Sequence, residues 1–291
     1  MKVERLNPEC ISCLLNKHLS SAPDEFSKAK KVEYMQGILK IISNADIYTS
    51  APVIVEQINK FKESFGISID FSDIKSYYNC FMLSMESRIE DEIENSSDPL
   101  KTAVRYAMAG NYIDFGAMAG VDEQKLNEIL NNAKNIEINE QEFTTFKNEV
   151  VLSKKIVYLT DNCGEIVLDK LLIKQILKLN NKVNVNVIVR GEPILNDCTI
   201  EDAVQVGLDD LVSITGNGTA IAGTCLERIS EKAKKLIDES DLIISKGQGN
   251  FETLHHSGKN IYYLFLCKCK MFSQRFGVDT FTGMFINEKN I

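Results

Sequence analysis

The chain has 291 residues, 44% of them hydrophobic and 25% charged, the make-up of a globular protein with one large or two ordinary domains. Its net charge of -8 argues against a general pull toward nucleic acid or an anionic membrane. No run approaches the roughly 18 apolar residues of a membrane span, and the start from Met1 to Pro8 lacks the apolar core of a signal peptide, so a cytoplasmic protein is expected.

The first half reads as helical. Phe26, Ala29, Val32, Met35, Ile38, Leu39 and Ile42 recur at helical spacing. Pro52 suits the first turn of a helix through Val53, Ile54, Ile58 and Phe61. Residues 71–94 carry Ile74, Tyr77, Tyr78, Phe81, Met82, Met85, Ile89 and Ile93 on a third helix. The polar stretch from Asn95 to Asp98 is a loop, and Pro99 opens the next helix, which ends at Ala109-Gly110. A further helix fits Asp122 to Ala133.

Near residue 150 the pattern changes to short β-branched runs alternating with helical periods. Five strands are predicted, at Ile156–Thr160, Val185–Val189, Leu211–Thr215, Leu242–Ser245 and Ile261–Cys267. Strands alternating with helices argue a doubly wound, Rossmann-like, mainly parallel sheet with right-handed crossovers. The expected division is a helical N-terminal domain, residues 1–145, and an α/β catalytic domain, residues 146–291.

Three of these strands end in polar and small residues: Asp161-Asn162-Cys163-Gly164-Glu165, Arg190 to Asp197, and Lys246-Gly247-Gln248-Gly249-Asn250. In a parallel sheet the carboxyl ends of the strands line one crevice, so these residues should converge there. Capping explains an Asp or Asn after a strand, but two oxygen donors, a glycine and a glutamate are more than a cap requires. Asn196-Asp197 repeats the pattern one strand on. Adjacent strands lie about 4.8 Å apart, so carboxylates at their ends can share a hard divalent cation. Lys246 stands on a Gly-rich strand-to-helix turn with Gly247 and Asn250. It is an ordinary tight turn or, with open amides and an ammonium, a phosphate cradle. Asn111 and Asp114 stand out in the helical half. They cap a helix boundary, or they reach the crevice and orient the cation's ligands.

Eight cysteines in a long chain without an export signal suggest reduced thiols rather than a disulfide framework. Cys10-x-x-Cys13 and Cys267-x-Cys269 are close pairs. A zinc site with Cys10 and Cys13 as one half and Cys267 and Cys269 as the other is one reading, since structural zinc takes four such ligands. Packed thiols are favoured.

Taken together and in order, the segments Gly110-Asn111-Tyr112-Ile113-Asp114-Phe115-Gly116, Asp161 to Glu165, Arg190 to Thr199 and Lys246 to Glu252 resemble the damage-control phosphatase family, first known only as a domain of unknown function. The early Cys10-x-x-Cys13 is similar to a mark of its prokaryotic branch. The resemblance runs from about residue 8 to about residue 270. It implies a helical N-terminal part on a Rossmann-like domain and hydrolysis of phosphomonoesters of small metabolites, sugar phosphates or damaged ones. It implies a divalent cofactor, manganese, cobalt, nickel or magnesium, held by Asp161, Asn162 and Asp197. It further implies substrate contacts at Glu165, Lys246 and a late lysine, here Lys268; Gly247 and Asn250 are candidate contacts from the turn itself. Asp161, Asp197 and Lys246 are the expected catalytic residues. The expected partner is a small phosphorylated metabolite, with neither nucleic acid nor membrane. Two rival readings are a carboxyl methyltransferase dependent on S-adenosylmethionine, an activity ascribed to a eukaryotic branch of the same family, and a non-enzymatic ligand-sensing α/β module. The first would need a cofactor pocket after the first strand, where this chain has Asp161-Asn162.

Overall fold

The computed structural model describes residues 3–67, 70–114 and 121–291. Phe115 and Gly116 of the Asn111 motif therefore lie outside the described residues. The chain divides into two compact units, Met1–Asp70 and Phe71–Ile291. The change of pattern near residue 150 thus marks where strands begin. The compact unit that holds the sheet begins earlier, at Phe71.

The first unit has helices α1 (Pro8–Ser20), α2 (Lys28–Asn44) and α3 (Ala51–Glu63). Asn7 caps α1 by accepting from the Glu9 amide at 3.0 Å, and Ser27 caps α2 through the Lys30 amide at 3.2 Å. Leu14, Tyr34, Ile38, Ile42, Ile54 and Ile58 form its core. Sequence periodicity gives α2 and α3 but not α1, where Leu14 is the one buried apolar side chain.

The second unit opens with α4 (Ser72–Glu94), α5 (Pro99–Gly110), α6 (Glu123–Asn131) and α7 (Glu140–Leu152). Then come β1 (Lys155–Leu159), α8 (Glu165–Leu179), β2 (Asn184–Val189), α9 (Ile200–Gln205), β3 (Ser213–Gly216) and α10 (Glu231–Asp238). The chain closes with β4 (Leu242–Lys246), α11 (Gln248–Leu254), β5 (Ile261–Leu266), α12 (Lys270–Phe276) and β6 (Gly283–Asn287). The sheet order is β3-β2-β1-β4-β5-β6. All pairs are parallel except β5 with β6, an antiparallel edge strand that sequence reading does not give.

Strand residues alternate between two faces. Ile156, Tyr158, Val187, Ile244 and Leu264 join a core with α4, α5, α7 and α8. Val157, Leu159, Ile188, Ile243 and Phe265 join one with α10, α11 and α12. Burial on both faces explains why these strands read as continuous apolar runs. Among the described residues no helix is long and apolar enough to cross a membrane.

The strand order reverses direction between β1 and β4, which makes a crevice at their carboxyl ends. Leu159 pairs with Ile188 on one side and Ser245 on the other. Two residues further on, the same register sets Asp161 between Arg190 and Gly247.

Candidate active site

Gly247 has φ +78°, and a Cβ there would stand 2.0 Å from Asp161 Oδ2. Only glycine both adopts that conformation readily and leaves room for the carboxylate. The loops after β1 and β2 are joined by a bridge between Asn162 and Asp197. The Cys163 amide donates to the Asn196 carbonyl and the Cys198 amide to the Asp161 carbonyl, both at 2.8 Å. Leu195, just before Asn196, is held at φ +48°, a strained backbone for a γ-branched residue. The predicted cation ligands therefore sit on one hydrogen-bonded piece of backbone.

Asp161, Asn162 and Asp197 are all buried. Asp161 Oδ2 accepts from Asn111 Nδ2 at 3.0 Å and Asn162 Nδ2 at 2.8 Å. Asp197 Oδ2 accepts from Arg190 Nε at 2.6 Å, and Arg190 Nη2 lies 3.4 Å from Asp161 Oδ1. Burial raises the Asp161 carboxyl well above the carboxylate range, and Asp197 and Glu165 push it further. Burial pushes Asp197 up to about 6, with Arg190 working against it.

Arg190 is the crevice residue to which sequence reading gives no role. It continues an apolar strand and reads as its end. Fully buried, it bridges the two aspartates and donates through Nη1 to the Asn250 side-chain oxygen at 3.0 Å and the Gly223 carbonyl at 3.2 Å. A buried arginine with this many oxygen partners satisfies the charge that two adjacent carboxylates would otherwise leave uncompensated.

Lys246 sits differently from the sequence expectation. It is 0% exposed, and its Nζ donates to Glu165 Oε1 at 2.5 Å, Asp169 Oδ1 at 2.7 Å and the Ala107 carbonyl at 2.8 Å. Those three partners match its three N–H bonds. Burial alone would lower its pKa. Asp169 and Glu165 more than offset that, so the ammonium is held charged. Tyr158 donates to the same Asp169 oxygen at 2.7 Å.

Neither of its companions on the turn is open. The Gly247 amide donates to the Leu264 carbonyl. Asn250 Nδ2 donates to the Thr160 and Lys246 carbonyls, and its oxygen also accepts from Thr224. These bonds tie the turn to its neighbours and leave neither the Gly247 amide nor the Asn250 side chain free for a phosphate.

Asn111 does reach the crevice. Its Nδ2 lies 3.0 Å from Asp161 and from Glu165, and its oxygen accepts from the Leu266 amide at 3.1 Å. Asp114 accepts from Lys268 Nζ at 2.6 Å, and the Lys268 side chain is 1% exposed. Both groups act electrostatically on Asp161. Cys10 and Cys13 stand one turn apart on α1 of the first unit, and Cys267 and Cys269 follow β5.

Among the described residues no three His, Cys, Asp or Glu side chains converge as a ready cage for a metal. The candidate donor set is instead two carboxylates and an amide. It fits a hard cation on one count in particular. Asn162 Oδ1 and Asp197 Oδ1 accept no hydrogen bond from the described residues, whereas Asn162 Nδ2 donates to two carboxylates and Asp197 Oδ2 accepts from Arg190.

The family model described as the damage-control phosphatase ARMT1-like domain matches residues 6–282. A damage-control phosphatase of Archaeoglobus fulgidus is 31% identical over 288 residues, covering 94% of this chain and 96% of its own. An uncharacterized protein of Methanocaldococcus jannaschii is 30% identical over 292 residues, covering 94% and 93%. A crystal structure of a DUF89 family protein from Pyrococcus horikoshii shares the fold with a TM-score of 0.77 at 25% identity, covering 97% of this chain and 99% of that one.

Proposed function

Since the chain belongs to the family of ARMT1-like damage-control phosphatases, we propose that it is a divalent-metal-dependent phosphomonoesterase of small phosphorylated metabolites, sugar phosphates and damaged metabolites among them. The observation that carries the reading is the pair of oxygens without a donor, Asn162 Oδ1 and Asp197 Oδ1, on two loops hydrogen-bonded into one piece. All-oxygen donors suit magnesium or manganese, and cobalt and nickel are the next candidates. Held by Asp161, Asn162 and Asp197, the cation would polarise the phosphoryl group and lower the pKa of water.

The chain's own residues do the rest. Arg190 keeps the two aspartates in place and offsets their charge. Lys268 is the cation that meets the substrate, exchanging its Asp114 partner for a phosphoryl oxygen as charge develops there. Asp161 and Asp197 orient the attacking water. The Archaeoglobus fulgidus relative is a damage-control phosphatase, which supports hydrolysis over the rival readings.

The test is release of inorganic phosphate from a panel of sugar phosphates with manganese, cobalt, nickel or magnesium, and with a chelator. Hydrolysis should need one of these metals. Asp161→Ala and Asp197→Ala should each lower it by about a hundredfold or more while circular dichroism stays that of the native fold. Hydrolysis indifferent to the chelator, or normal turnover in either variant at saturating metal, would sink the reading.

A further inference from the structure

We propose that Glu165, pinned by Lys246, is a positioning residue that turns the Asn162 side chain so that its oxygen, not its nitrogen, faces the cation. The proposal rests on the metal-site reading above and assigns to Glu165 and Lys246 a role other than substrate contact.

Asn162 Nδ2 lies 2.8 Å from Asp161 Oδ2 and 3.1 Å from Glu165 Oε2. Both neighbours are acceptors. Turning the amide over would set its oxygen against two carboxylates and lose two charge-assisted hydrogen bonds. The orientation is therefore dictated by the neighbours, and Oδ1 is left on the open side. Glu165 can impose this because it cannot move. It is 0% exposed, and its Oε1 takes the Lys246 ammonium at 2.5 Å. Its Oε2 also accepts from the Asn162 backbone N–H at 3.4 Å, and both oxygens lie 3.0–3.1 Å from Asn111 Nδ2. Lys246 is in turn fixed by Asp169 and the Ala107 carbonyl. A positive charge that touches only these groups acts on the reaction through Glu165.

The substitution Glu165→Gln separates the two properties of the carboxylate, its charge and its all-acceptor character. Lys246 still demands an acceptor, so the new NH2 group turns toward Asn162 Nδ2 and meets a donor with a donor. The Asn162 amide then loses its preference for presenting oxygen. The change also removes a negative charge near the cation. A second substitution, Asn162→Asp, tells the effects apart, because a carboxylate presents an oxygen whichever way it turns.

The experiment is calorimetric titration of Mn2+ into the metal-free full chain and the three variants, Glu165→Gln, Asn162→Asp and the double variant. Glu165→Gln should weaken Mn2+ binding by about tenfold or more in the Asn162 background, the scale of losing a group that orients a ligand. In the Asn162→Asp background the same change should weaken it by about threefold or less. Equal losses in both backgrounds mean that Glu165 acts by charge alone and overturn the proposal. Absence of Mn2+ binding by the unaltered protein would instead overturn the metal-site reading beneath it. If Asn162→Asp does not fold, steady-state kinetics of Glu165→Gln decide. A positioning residue leaves KM for the phosphomonoester unchanged at saturating Mn2+ and regains kcat as Mn2+ is raised. A raised KM at saturating Mn2+ marks direct substrate contact and overturns the proposal.

Discussion

A single missing methyl group gives the crevice its shape. Gly247 holds φ +78° and a Cβ there would lie 2.0 Å from Asp161 Oδ2, far inside van der Waals contact. Gly247→Ala should therefore cost about 1–3 kcal/mol from the backbone alone and displace the Asp161 carboxylate as well. Urea denaturation should show the lost stability and Mn2+ titration the lost affinity. A variant unaltered in both would mean that the carboxylate has room to retreat. At this scale the sequence was legible where polarity broke an apolar run. Asp161, Asn162 and Asp197 follow strands, and the parallel topology brings such residues together. Lys246 was visible for the same reason, yet its partners were not. Asp169 lies one turn into α8 and Tyr158 inside β1, and neither position looks unusual in an amphipathic pattern. Arg190 was hidden because a long side chain ending a strand normally snorkels to water. Here two carboxylates hold it inside.

Elements with a strong period were legible, and those whose apolar residues are thin were not. The five parallel strands and the helices α2 to α6 follow from spacing. Helix α7 escaped because Phe143, Phe146 and Val150 are its only buried side chains among acidic and polar neighbours. Strand β6 escaped because it is short, begins with glycine and lies antiparallel at an edge, where alternation is weak. The structure joins these two inconspicuous elements through aromatic contacts. The Phe146 ring lies 4.9 Å from Tyr262 on β5 and 5.4 Å from Phe285 on β6, both edge to face. Phe146 is 0% exposed. Phe146→Ala should cost about 3–5 kcal/mol, read as a lower urea midpoint. It lies far along the sheet from the cation ligands in register, near the amino-terminal end of the strands, so metal affinity of the folded fraction should hold. A loss under about 1 kcal/mol would mean that the edge closes without this ring.

The two units should respond to acid in opposite directions, and the sign follows from which groups each one buries. In the first unit, burial and then the nearby Lys62 and Lys17 lower His18 to about 4. Its folded pKa is depressed, so its contribution is present above about 6.5, the unfolded value, and is lost as pH falls toward 4. In the second unit, burial raises Asp169 and Asp197 to about 6, against the pull of Lys246 and Arg190 respectively, and Glu252 to about 7, against Arg275. These folded pKa values are raised, so their contribution is full below the unfolded carboxylate range and is lost as pH rises through 6 to 7. Between pH 7.5 and 5, then, the metal-free second unit gains stability while the first loses it. Hydrogen exchange followed by mass spectrometry, corrected for intrinsic rates, reads the two separately. Protection of α1–α3 should fall on going from pH 7.5 to 5, and protection of β1, β4 and β5 should rise. His18→Leu should flatten the first trend and leave the second. Added Mn2+ should shrink the second, because ligation needs Asp161 and Asp197 deprotonated and so favours the higher pH. Protection that moves in the same direction in both units would contradict the assignment of opposite signs and tie their stabilities to one shared set of buried groups.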